Sequence, residues 1–88
     1  MNDKELFGLA EQKWGREAQF KLAMEECAEL IVAINKLDRT GKVEPVIEEM
    51  ADVVMMIEQL KRMLFCYDRF EIAYKEKIKR LAKRLEVA

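Results

Sequence analysis

Apolar positions along this chain recur every three or four residues, the period of an α-helix, and nowhere alternate as in a strand. From Arg16 to about Arg39, Phe20, Met24, Cys27, Ile31 and Ile34 keep that spacing and predict one long helix, closed by Thr40 and Gly41. Pro45 suits the first turn of a second long helix reaching about Phe65, with Val46, Val53, Met56, Ile57, Leu60 and Leu64 facing inward. Ahead of both, Asn2 and Glu5 have the spacing of a capping box and start a short helix that runs to about Trp14, where Gly15 ends it. Asp68 and Glu71 repeat the capping spacing and open a last helix with Ile72, Ile78, Leu81 and Leu85 as its apolar stripe.

The pattern predicts an all-α fold of three long helices plus a short N-terminal helix, in a single helical domain spanning residues 1–88. Composition adds that one chain is not enough. With 88 residues and 51% apolar positions, the apolar residues wrap nearly around the two central helices, so each needs neighbours on two sides. Pairing them across a two-fold axis, in a homodimer or homotetramer, makes a four-helix-bundle core. Sixteen basic residues against seventeen acidic ones give no reason to expect a nucleic-acid partner. Cys27 and Cys66 form no C-x-x-C pair and histidine is absent, which argues against zinc and redox dithiol chemistry and for reduced core thiols. The polar start Asn2-Asp3-Lys4-Glu5, and the lack of a run long enough to span a bilayer, imply a cytoplasmic protein without a membrane partner.

Some carboxylates sit where the pattern calls for apolar residues. Glu25, Glu26 and Glu29 fall within roughly a 100° arc of their helix, and Glu29 leads into the apolar run Leu30-Ile31-Val32-Ala33-Ile34. Glu49 and Asp52 lie on the side of Val53, Met56 and Leu60. A charge in such surroundings is costly unless paired or bound to metal. If the two helices pack together, the inward acids converge into a hard, oxygen-rich site suited to magnesium or manganese. Against this stands the ordinary preference for acids in a helix's first turn, which accounts for Glu48 and Glu49 but not for Asp52.

Glu25-Glu26-Cys27-Ala28-Glu29-Leu30 followed by Glu48-Glu49-Met50-Ala51-Asp52-Val53, with nineteen residues between Glu29 and Glu49, resembles the paired E-x-x-E and E-x-x-D signature of MazG-like nucleotide pyrophosphohydrolases. Trp14-Gly15 and Gln19 before it, and Lys77, Arg80-Leu81 and Arg84-Leu85 after it, resemble the flanks of short, phage-type members. The resemblance implies an all-α dimer or tetramer that cleaves nucleoside triphosphates between the α and β phosphates, releasing monophosphate and pyrophosphate. It implies magnesium held by Glu26, Glu29, Glu49 and Asp52, with Glu25 as general base, Lys77 and Arg80 on phosphate oxygens, and Gln19 among the substrate-binding residues. Trp14 either stacks on the base or anchors the core. Several relatives carry an asparagine in the last helix, whereas this chain has none after Asn35. A different reading is a non-enzymatic helical oligomerisation or interaction module with a basic last helix, which accounts for the apolar excess but not for Glu29 or Asp52. A di-iron bundle would call for histidines that the chain lacks.

Overall fold

Asn2 opens the first helix by accepting a hydrogen bond from the Glu5 backbone N–H at 2.8 Å, so the polar side chain replaces a helical partner that the first turn lacks. A computed structural model describes residues 1–86 as four helices: α1 (Asp3–Trp14), α2 (Arg16–Thr40), α3 (Glu44–Met63) and α4 (Tyr67–Arg84). Among the described residues there is no strand, and no helix is long and apolar enough to cross a membrane. Two glycines carry the sharpest changes of direction. Gly15 joins α1 directly to α2 at φ 89°, and Gly41 ends α2 at φ 65°, both in the left-handed region where a Cβ is strained.

α2 and α3 form an antiparallel hairpin, and its seam is the core. Ala23, Val46, Met56 and Met63 are buried there, together with two amides, Gln19 and Gln59. α1 lies across the hairpin and is held by the Arg62–Glu11 ion pair, with the Arg62 guanidinium passing close over Gly8. The backbone of α4 packs against α3, where Lys61 caps the Phe70 ring at 4.4 Å, and Lys4 of α1 adds a side-chain contact by reaching the Tyr67 ring at 4.6 Å.

Several expectations need correction. α3 stops at Met63, and Leu64 and Phe65 form the turn, exposed, with Phe65 at φ 52°. Asp68 does not cap α4: the helix starts at Tyr67 after Cys66, so Asp68 already lies inside the first turn. Cys27 is exposed, not a core thiol, and Cys66 is half-buried. As the apolar excess leads one to expect, Met24, Ile31 and Ile34 on α2, and Ile72, Ile78 and Leu81 on α4 with Leu85 just after it, are exposed in the single chain.

Candidate metal site

The hairpin's register makes the site. In an antiparallel pair, residues whose numbers add to the same total sit at one level, and Gln19 with Gln59, Glu26 with Asp52, and Glu29 with Glu49 share one total. Steps of seven and three residues along each helix return to the same face, so all three polar pairs are stacked along the seam. The two acidic motifs therefore meet in inverted order, first member against last. Oxygens of Glu26, Glu49 and Asp52 lie within 4.8 Å of one another. Glu26 and Glu49 are half-buried, with Asp52 at the boundary between half-buried and exposed.

The cluster is electrically unbalanced. Glu26 is pushed up to about 7 from 4.5, first by desolvation, then by the charges of Glu29 and Asp52. Glu49 is also raised, by desolvation and then by Glu29. Glu29, although exposed as a residue, is thus the strongest charged neighbour of both. Glu26 Oε2 and Glu49 Oε2 are sealed from solvent without a hydrogen-bond partner, and among the described residues no Lys or Arg pairs with these acids. Two ionised carboxylates cannot donate to each other, so either a proton or a cation must stand between them. An all-oxygen anionic set with orphaned, inward oxygens fits a hard divalent ion such as magnesium or manganese.

The acids separate two cavities. One, of about 410 Å³, is bounded by Glu26 and Asp52 at one end and by Gln19 and Gln59 further along, with Leu6, Phe7, Trp14, Leu22 and Met55 among its walls. The other, of about 400 Å³, opens beside Glu29 and Glu49. Trp14 is 58% exposed and lines the first cavity, so it does not anchor the core. Gln19 is 3% exposed and accepts a 2.9 Å hydrogen bond from Gln59 Nε2.

Other expected site residues are not gathered here. Glu25 is exposed and outside the carboxylate cluster. Lys77 and Arg80 are exposed on α4, which does not pack against α2. Gln59 lines the cavity as well, although no motif marks it. Its one mark in the sequence is periodicity: it falls seven residues after Asp52, as Gln19 falls seven before Glu26, a polar amide on the apolar stripe of its helix. Comparison with protein-family models, with curated proteins and with solved structures found no match.

Proposed function

We propose that this chain is a magnesium-dependent nucleoside triphosphate pyrophosphohydrolase of the MazG-like kind, acting in the cytoplasm and cleaving between the α and β phosphates. The reading rests on one observation: Glu26, Glu49 and Asp52 converge across the α2–α3 seam, with two sealed, unpartnered oxygens and, among the described residues, no Lys or Arg paired with them. Glu26, Glu29, Glu49 and Asp52 are the residues that would hold magnesium, with manganese an equally hard substitute. When bound, the metal supplies the positive charge a triphosphate needs to approach these acids and lowers the pKa of a nearby water.

Hydrolysis adds a water oxygen to one phosphorus of the α–β anhydride. The bridging oxygen leaves with the bond's electrons, and the water's proton must be accepted. Glu25 takes that proton: it lies four residues before Glu29, hence beside it on α2, and is not committed to the cluster. Lys77 and Arg80 grip phosphate oxygens in the assembled protein, a dimer or tetramer with a four-helix core, because within one chain α4 stands away from α2.

The test is pyrophosphate release from a panel of canonical and damaged nucleoside triphosphates with magnesium. Pyrophosphate is expected as the primary product, and excess chelator should abolish it. Orthophosphate as the primary product would overturn the assignment. The uncovered apolar stripe of α4 favours one competing reading, a non-enzymatic helical interaction module. A calorimetric magnesium titration separates the two, since such a module has no reason to bind the ion.

A further inference from the structure

Polar side-chain atoms in a protein interior ordinarily have at least one hydrogen-bond partner. Gln19 and Gln59 each keep one polar atom without a protein partner. They are 3% and 7% exposed, joined by a single 2.9 Å hydrogen bond, and both line the cavity of about 410 Å³. That bond leaves Gln19 Nε2 with its donors and Gln59 Oε1 with its acceptor capacity, and neither atom is both sealed from solvent and unpartnered. If both amides rotate together, the mutual bond survives with its direction reversed, and the pair again offers one donor and one acceptor.

We infer that the Gln19–Gln59 pair binds the hydrogen-bonding edge of a nucleobase held in this cavity, with Gln59 a base-contacting residue for the substrate. A donor beside an acceptor complements both the keto–imide edge of uracil and the amino edge of cytosine. Phe7, Trp14, Leu22 and Met55 line an apolar slot suited to a flat ring. The order along the seam matches a nucleotide. Seven residues separate Gln19 from Glu26 on α2, roughly 10 Å along the helix axis, which leaves room for a nucleoside between the amides and the acids. The base then sits at the amides and the phosphates at the acids. That ordering rests on the pyrophosphohydrolase reading, whereas base recognition stands or falls without it.

The experiment therefore avoids phosphate, metal and turnover. ¹⁵N-labelled protein in chelator is titrated separately with uridine, cytidine and ribose, following the side-chain amide resonances of Gln19 and Gln59. Both nucleosides should move these resonances and ribose should not. The double variant Gln19→Leu/Gln59→Leu removes both partners together, leaves no orphaned amide, and should bind nucleosides roughly tenfold or more weakly. Unmoved wild-type resonances, an equal response to ribose, or wild-type affinity in a folded double variant would overturn the inference. Should the variant fail to fold, the wild-type titration still decides. Nucleoside binding without pyrophosphate release would sink the catalytic reading and leave this one standing.

Discussion

Glu26 is the residue through which pH reaches this fold. A glutamate in the unfolded chain titrates near 4.5, whereas folding pushes Glu26 to about 7 through desolvation and the charges of Glu29 and Asp52. Between those values the folded chain holds a proton that the unfolded chain has released. Protonated Glu26 therefore stabilises the metal-free fold fully below about 4.5, and this contribution is lost as pH rises through about 7. Glu49, shifted in the same direction, adds to it. In chelator the protein should melt at a higher temperature at pH 5 than at pH 8, and Glu26→Gln should narrow the gap; a higher melt at pH 8 would contradict a raised Glu26 pKa. If magnesium takes the place of that proton, as proposed, its addition should raise the melt most at pH 8. Asp52→Asn and Glu29→Gln keep shape and remove charge, so under the proposed function each should lower turnover by roughly two or more orders of magnitude while leaving the metal-free helices intact or stabilised. Near-normal turnover in either variant would remove that residue from the ligand set.

Among the elements, the two capping sequences make an informative contrast, because they look alike in the chain and differ in the fold. Asn2 caps α1, whereas Asp68 has been absorbed into the first turn of α4. The difference arises because α4 begins at Tyr67, and the Tyr67 and Phe70 rings are fixed under Lys4 and Lys61. Asn2→Ala should destabilise the protein by about 1 kcal/mol, whereas Asp68→Ala, losing only a favourable place near the helix dipole, should cost a few tenths. Chemical denaturation of both variants measures this directly. Equal losses would mean that the cap on α1 is not made in solution. Because α1 lines the first cavity through Leu6, Phe7 and Trp14, amide exchange in α1 of Asn2→Ala should quicken as well.

At the scale of the whole molecule, the single chain is more open than a compact domain of its length. Its radius of gyration is 15.9 Å, against about 12 Å for a compact domain of this length. It exposes 7314 Å², against about 5,400 Å² for a compact monomer of its mass, an excess of about 1,900 Å². Two copies burying that much each would reach the range of obligate homodimers. Ile31 is 68% exposed on α2 and Val54 57% on α3, so the uncovered surface runs over both hairpin helices. Sedimentation equilibrium at low micromolar concentration should find a dimer or larger. Ile31→Glu should shift the mass toward 10.4 kDa, and a stable, folded, active wild-type monomer would refute the assembly.

Local chemistry settled much of this in advance. The helical period, Gly15, Gly41 and the Asn2 cap act over four residues or fewer, so the four helices and most of their ends could be read from the chain. The inward turn of Glu26, Glu49 and Asp52 could be read too, since a helix's face follows from spacing alone. What spacing leaves open is which residue lies opposite which, because register depends on the loop between α2 and α3 and on side chains meeting across the seam. Only the packed hairpin brought Glu26 to Asp52, joined Gln59 to Gln19, and left Glu25 outside the cluster. Only the tertiary structure set α4 away from α2: an amphipathic stripe records that an apolar face must be covered, not which surface, or which copy of the chain, will cover it.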